Sequence, residues 1–592
     1  MNYFMQFLCL IGFLSPVLLA NPMTKSLHDE KLGKVIANYT LSSKKLDAYR
    51  ATRYNLEEDF DKFGDYASPA YFDRAKQILL TAAADLKAVS SDGLSPDETL
   101  DYLLFKKTVE MELKSFDFPS RYLEFNQMDN RLISYLDETS QSLTSFPFDT
   151  VKHYDAFVKR SEGFLPYVDH QIALFDEGVK KKVVLSCIVA EKTINTYGEG
   201  LISDVEKHPF WRPIGFMPGS FSAKDQSRLK DDFRKMITER VLPGYKKFDS
   251  YFRSTYLPQC RKNFGMADLP DAKAWYLHNI ERSTSLVLQP EELHQLGLKE
   301  VETIVAKMDT IKTKLGFKGT YQEFTHSLLE NQKYFFKNSA DMFAAFTKTK
   351  EIIHEKIKDY FDLVPKSEVR LVETSNPEDA AGRYYEPTDL QPYGRFVVNT
   401  KNLRAIPSYG INSLMMHETI PGHHFQLALA YEMKDKLSEF RRLFFESNAF
   451  VEGWALYSEF LGNEMGIFKD PLQEIGHLND ELLRAVRLVV DTGIHHYNWS
   501  QKQTIDYMKK YLASDINDIT NEANRYSIWP GQALGYKVGQ LKIMELRKWA
   551  EKELGEKFQI KDFHRVVLGE GVLSLEVLDR QVKAWVKNTK SV

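Results

Sequence analysis

The stretch His417-Glu418-Thr419-Ile420-Pro421-Gly422-His423-His424 decides how the rest of the sequence is interpreted. It places one glutamate and three histidines in eight positions, although the whole chain of 592 residues has only 15 histidines. Two histidines four residues apart on a helix, with a glutamate beside the first, are the usual arrangement of a hydrolytic zinc site. Here the fourth residue after His417 is Pro421, so this arrangement is interrupted.

The interruption changes the predicted geometry. On a continuous helix the sixth residue after His417 would point about 120° away, and the seventh would return to the same face about 10 Å further along. Neither position brings two imidazoles to one ion. Pro421 removes a backbone donor and Gly422 adds freedom, so we expect a kink or bulge that returns His423 to the ligand position. His424 would then support the site or face a substrate. The alternative is that the histidines only pack around a kink.

Most of the remaining sequence is typical of α-helices. Ser95-Pro96-Asp97-Glu98 matches a capping box, and an amphipathic pattern begins at Pro290. Residues 369–372, 383–385 and 395–398 instead predict short strands. We therefore expect a mainly α-helical fold with a deep cleft and a small β-sheet next to the histidine helix. An edge strand of that sheet could hold an extended peptide by backbone pairing.

The first twenty residues differ in composition from the rest. They are uncharged and apolar from Phe4 to Ala20, which is typical of a secretory signal peptide cleaved before Asn21. No lysine or arginine precedes Lys25, so an uncleaved membrane anchor is the alternative. Cys9 has no small residue before it and is not expected to carry a lipid. We expect a periplasmic or secreted protein without stable membrane insertion.

The overall charge is balanced, with 78 basic and 82 acidic residues spread evenly along the chain. This distribution predicts no nucleic-acid partner. After signal cleavage two cysteines remain, Cys187 and Cys260. In an exported protein they could form a disulfide or stay as buried thiols, and the sequence leaves both states open. It also leaves the oligomeric state open.

The histidine motif and several later segments resemble a large, mostly bacterial family, the domain of unknown function numbered eight-eight-five. The motif in this form is His417-Glu418-x-x-Pro421-Gly422-His423-His424-x-Gln426. The other matching segments are residues 450–457, 491–495 with Trp499, 525–526, and 530–533 with Tyr536 and Gly539. They cover roughly the last two hundred residues. The N-terminal half matches only in its helical character.

The family in turn resembles helical zinc metallopeptidases of the thermostable-carboxypeptidase type, whose Pro-x-x-Ala-Leu-Gly segment is similar to residues 530–535. The resemblance implies a large metallopeptidase-like (zincin) domain. We expect residues 21–592 to form a single helical catalytic domain, with the metal site within residues 368–592. The cofactor would be Zn²⁺, although a histidine and carboxylate site also accepts Co²⁺ or Mn²⁺.

The third protein ligand is either Glu446 or Glu452, both expected on the helix after the loop at Lys436. Glu452 lies at the centre of the family pattern, so the predicted metal ligands are His417, His423 and Glu452. Its neighbour Gly453 is expected to let this helix approach the histidine helix closely.

Two further expectations concern the same helix. Trp454 would pack under the site. The alternative role for Glu452 is a salt bridge with a buried arginine such as Arg442.

The remaining candidates concern catalysis. Glu418 is the predicted general base. Hydrolysis also needs donors for a developing oxyanion, and His495, Tyr536 and Arg525 are the candidates. Tyr536 resembles the mobile tyrosine with which metallopeptidases polarise a carbonyl. Arg525 would bind a substrate carboxylate or would stabilise the fold through a contact with Glu522. Each of the three could equally be a buried structural group.

Together these features predict a zinc-dependent hydrolase, most simply a peptidase that cleaves peptides by means of a metal-bound water. One alternative keeps the metal but acts as an amidase or esterase on a non-peptide substrate. The other is a non-catalytic, zincin-like binding protein. The sequence does not specify the bond cleaved or the choice between endo- and exopeptidase action.

Overall fold

The protein is described by a computed structural model that covers residues 27–47, 56–140, 146–374, 381–388 and 391–591. Within these ranges it is mainly helical and contains a three-stranded sheet, as the sequence predicts. The expected signal peptide lies outside the described residues. Across the ranges given above, no helix is both long enough and apolar enough to cross a membrane.

The α-helices before the sheet form the N-terminal part of the chain. They are α1 Leu27–Leu46, α2 Pro69–Lys87, α3 Pro96–Ser115, α4 Arg131–Asp137, α5 Val151–Arg160, α6 Phe164–Lys181, α7 Cys187–Thr196, α8 Arg212–Gly215, α9 Ala223–Met236, α10 Leu242–Tyr251, α11 Ala272–Thr284, α12 Pro290–Lys314, α13 Tyr321–Glu330 and α14 Ser339–Ile357. The predicted capping box of α3 is confirmed, because the Ser95 hydroxyl accepts from the Glu98 amide and the Glu98 carboxylate accepts from the Ser95 amide.

Cys187 and Cys260 form a disulfide, which decides the question that the sequence leaves open. Cys187 is the first residue of α7, and the bridge joins it to the segment that follows α10. The two residues are 73 positions apart. Stable disulfides are typical of oxidising compartments outside the cytoplasm.

The sheet consists of β1 Val369–Glu373, β2 Gly382–Tyr385 and β3 Gly394–Val398. Its order is β1-β3-β2, with β1 parallel and β2 antiparallel to the central strand. These bounds agree with the predicted strands to within one residue. Strand β2 lies at an edge, and its Tyr384 side chain contacts the histidine motif.

The α-helices after the sheet carry the predicted site. They are α15 Ile411–Glu418, α16 His423–Glu432, α17 Glu439–Leu443, α18 Asn448–Glu464, α19 Pro471–His495, α20 Gln501–Tyr511, α21 Ile516–Ile528, α22 Leu534–Leu554, α23 Ile560–Leu568 and α24 Leu575–Ser591. Two long helix pairs frame this region, α18 with α22 and α12 with α19. Gly453 meets the backbone of Gly539 in the first pair, and Gly297 meets Leu488 and Val489 in the second.

Candidate metal centre

The histidine motif is divided between two helices. Helix α15 ends at Glu418 and α16 begins at His423, and the four residues between them form a loop with a cis Ile420–Pro421 peptide. The structure therefore has a complete break between two helices where a kink or bulge was expected. The helix stops completely, because Thr419 has non-helical backbone angles and Pro421 cannot continue the hydrogen-bond ladder.

Close packing holds this loop in place. A Cβ atom at Gly422 would overlap the carbonyl oxygen of His417, so only glycine fits there. The fully buried Trp454 donates from Nε1 to the Pro421 carbonyl at 2.8 Å, so it supports the loop in the way expected of a residue under the site. As a result the rings of His417 and His423 lie 4.8 Å apart between centroids and nearly perpendicular.

Glu452 on α18 completes a group of three side chains. Its Oε2 atom lies 3.6 Å from Nε2 of His417 and 3.3 Å from Nε2 of His423. One possible ligand atom from each residue falls within 4.8 Å of the other two. A tetrahedral zinc with bonds of about 2.0–2.1 Å separates its ligand atoms by roughly 3.4 Å, so the two distances from Glu452 fit that ion.

Burial and charge also fit a cation. Oε2 of Glu452 is buried and has no hydrogen-bond partner among the residues that the structure describes. Burial lowers the pKa of His417, but the Glu452 and Glu459 carboxylates outweigh this effect and raise it to about 9. Burial raises the pKa of Glu452, but His423 and His417 outweigh it and hold that pKa well below its usual range. The surroundings of the three side chains thus favour positive charge.

Glu459, which no sequence motif singled out, lies on the other side of the His417 ring. Its Oε1 atom is 2.6 Å from His417 Nδ1, and its Oε2 atom accepts a hydrogen bond from Ser413 at 3.1 Å. Arg484 lies 3.7 Å from this fully buried carboxylate. Glu459 follows Glu452 by seven residues, or two helical turns, so a shared helix face was the signal that could have revealed it.

His424 is not part of the group of three. Its Nε2 atom lies 3.0 Å from the Ser367 carbonyl, which can only accept, so Nε2 carries the proton. Nδ1 therefore accepts from the Tyr384 hydroxyl at 3.0 Å. A side chain at Gly394 of β3 would overlap both partners. His424 thus joins α16 to β2 through Nδ1 and to the segment before β1 through Nε2.

The two candidates for the third metal ligand, Glu446 and Glu452, lie in very different surroundings. Glu446 is exposed and lies in the loop before α18, so the expectation that both glutamates are on that helix was wrong. Gly453 also differs from expectation, because it lets α18 approach Gly539 of α22 rather than the histidine helix. The ion pairs described for Glu452 are with His417 and His423 rather than with an arginine.

Glu418 is the last residue of α15 and is 9% exposed. Among the described residues, the other predicted catalytic side chains, those of His495, Arg525 and Tyr536, have no direct contact with the three predicted ligands. His477 of α19 has its Nδ1 atom 3.6 Å from Oε2 of Glu459, and His495 ends the same helix eighteen positions later, about 27 Å further along. The Nε2 atom of His495 lies 2.9 Å from the Tyr526 carbonyl.

Arg525 and Tyr536 contact each other, with the Arg525 guanidinium donating to the Tyr536 hydroxyl at 3.2 Å. Arg525 also pairs with Glu522 at 3.3 Å.

A cavity of about 510 Å³ lies elsewhere, between α1 and α2, and is lined by residues such as Tyr39 and Arg74. The expected cleft at the histidines therefore stays a prediction.

Comparison with known proteins places the chain in a family. It is similar to the crystal structure of "the putative lipoprotein from Colwellia psychrerythraea", with 27% identity, a TM-score of 0.88, and coverage of 95% of this chain and 100% of the other. It shares its fold with "a putative lipoprotein of unknown function from Shewanella oneidensis", at 16% identity, a TM-score of 0.70 and coverage of 93% and 99%. A search of curated proteins found no match. The family model for "Bacterial protein of unknown function (DUF885)" matches residues 49–582, so the chain belongs to that family.

Proposed function

We propose that the protein is an exported, zinc-dependent peptidase, with His417, His423 and Glu452 as metal ligands and Glu418 as general base. The observation that carries this proposal is the convergence of the three ligand atoms within 4.8 Å, with the buried Glu452 Oε2 facing both imidazoles. Two histidines and one glutamate are the ligand set of known zinc peptidases. Both imidazoles present Nε2 to the glutamate.

Bound zinc would lower the pKa of a water molecule and polarise the substrate carbonyl. The protein's own residues supply the proton transfers. Glu418 takes a proton from the attacking water and passes it to the leaving amine. Glu459 accepts from His417 Nδ1 and thereby turns the other ring nitrogen, Nε2, toward Glu452.

Tyr384 and His424 position the edge strand beside the site. The Tyr384 ring is nearly parallel to that of His423, at 6.5 Å between centroids. The Tyr384 hydroxyl donates its hydrogen bond to Nδ1 of His424. Because β2 is an edge strand fixed in this way, an extended peptide backbone could pair with it next to the proposed metal ligands.

Export is supported by two features. The Cys187–Cys260 disulfide is typical of an oxidising compartment. The apolar stretch that ends at Ala20 matches a cleavable signal. The Colwellia relative is described as a "putative lipoprotein", whereas Cys9 lacks the small preceding residue that lipid attachment needs. We therefore propose a periplasmic or secreted protein that begins near Asn21.

The proposed activity is tested with purified mature protein incubated with a mixed peptide library, before and after treatment with a chelator. We expect cleavage that chelation removes and zinc restores. Blocked small amides and esters form a parallel panel. Turnover of that panel without peptide cleavage would favour the amidase or esterase alternative, and zinc binding without any turnover would favour a binding protein.

A further inference from the structure

A second group of charged side chains lies on α19 and α21. Arg487 donates from Nη2 to Glu522 at 2.8 Å, and Arg525 donates from Nη1 to the other oxygen of the same carboxylate at 3.3 Å. Burial raises the pKa of Glu522, but the two guanidinium groups outweigh it and lower the pKa to about 2. This Arg487–Arg525 cluster, defined by these three residues, therefore carries one net positive charge.

The other partners of the two arginines are neutral. Arg487 donates from Nε to the Tyr526 hydroxyl at 2.9 Å. Arg525 donates from Nη2 to Gln532 Oε1 at 3.1 Å and to the Tyr536 hydroxyl at 3.2 Å. Within the described part of the chain, Nη1 of Arg487 and Nε of Arg525 are buried and have no hydrogen-bond partner.

These unpaired donors are costly to bury. The Arg487 side chain is only 6% exposed, and a buried guanidinium N–H without an acceptor destabilises the fold. The Arg525 and Glu522 side chains are 18% and 27% exposed, so solvent reaches part of the cluster. Unpaired buried donors, net positive charge and access from solvent together describe a site for an anion.

The cluster is linked to the proposed metal ligands by a short chain of contacts. Gln532, which accepts from Arg525, donates from Nε2 to Asn448 Oδ1 at 3.2 Å. Asn448 begins α18 and precedes Glu452 by four residues, or one turn of about 6 Å. The Arg525 guanidinium is therefore roughly 10–15 Å from the Glu452 carboxylate.

We propose that the Arg487–Arg525 cluster binds the C-terminal carboxylate of a peptide whose scissile bond lies at the proposed metal centre. This inference rests on the proposed function. Guanidinium groups pair well with carboxylates, and the positive charge selects a peptide's C-terminus over its amino terminus. The peptide must fit between the Arg525 guanidinium and the proposed metal centre. After the contact distances at its two ends are subtracted, this separation holds two or three extended residues of about 3.3–3.4 Å each. The enzyme then releases C-terminal dipeptides or tripeptides.

Binding is measured by calorimetry with the zinc-loaded Glu418→Gln variant, so that the readout does not depend on turnover. One probe is a hexapeptide with a free C-terminus, and the other is the same peptide with a C-terminal amide. We expect the acid to bind roughly 10–100-fold more tightly, the scale of a charged hydrogen-bonded pair. Adding Arg525→Gln should remove this difference. Arg580→Gln, at an exposed arginine that pairs with Glu576, should keep it.

A second variant tests the same site with Arg525 retained, in case Arg525→Gln does not fold. Gln532→Glu places a carboxylate against Arg525 Nη2 and should weaken binding of the acid while leaving that of the amide unchanged. Equal binding of acid and amide by the Glu418→Gln variant would overturn the carboxylate site. If the unsubstituted protein still cleaved both peptides, the proposed peptidase activity would stand. If neither peptide bound or was cleaved, both proposals would fail.

Discussion

Nδ1 of His417 lies 2.6 Å from Oε1 of Glu459, on the opposite side of the imidazole from Glu452. Both glutamates belong to α18, so one helix holds a histidine of α15 from two sides. A carboxylate on the outer nitrogen of a histidine ligand fixes its tautomer and raises its basicity. Glu459 is therefore a positioning residue for the proposed site.

Replacement of Glu459 tests this role. Glu459→Gln keeps the shape but removes the charge, and we expect zinc affinity to fall about 10–100-fold. Competition with a chromophoric chelator measures this affinity. Glu464→Gln is the matched control, since Glu464 lies on the same helix but pairs with Arg547. An unchanged zinc affinity in Glu459→Gln would show that Glu459 is not a positioning residue for the proposed site.

Glu418→Gln tests the general base. Glutamine retains the shape and hydrogen-bonding capacity but cannot accept the proton, so turnover should fall by at least about 10²-fold. Zinc content, measured on the same preparation, should not change. A variant that lost zinc but recovered full activity when zinc was resupplied would show that Glu418 is not the base.

The two adjacent histidines should respond differently. His423→Ala removes a proposed ligand and should give protein without bound zinc. His424→Ala removes only the link to Tyr384 and Ser367, so the protein should retain zinc and lose about 10–100-fold of its activity. Metal analysis of the two variants measures the difference. The opposite pattern would contradict the geometry of the Thr419–Gly422 loop.

The disulfide should stabilise the fold by constraining the unfolded chain. A separation of 73 residues corresponds to about 4 kcal/mol in the chain-entropy treatment. Urea unfolding of the oxidised protein and of a Cys187→Ser/Cys260→Ser variant measures this contribution. We expect a clearly lower midpoint for the variant. Equal midpoints would mean that the bridge adds no stability.

Local sequence signals predicted much of the fold. The capping box at Ser95 and the strand bounds depend on neighbouring residues, and the structure confirms them. The complete helix break after Glu418 was predicted only as a kink or bulge. It depends on how Gly422 and Trp454 pack, which local pattern does not show.

Residues of the site that depend on distant contacts were harder to predict. The partners of Gly453 and the surroundings of Glu446 depend on the packing of α18 against other helices. Arg487 entered no motif at all, because only its meeting with Glu522 and Arg525 gives it a role.

The central claim is that His417, His423 and Glu452 bind zinc, and the metal content of the purified protein tests it most directly. Elemental analysis after dialysis should give one zinc per chain for the parent protein, as for a site with three protein ligands. Glu452→Gln should lose this zinc, whereas Glu446→Gln, at an exposed loop residue, should keep it. A parent protein that binds no transition metal, or a Glu452→Gln variant that retains the full zinc content, would contradict the account.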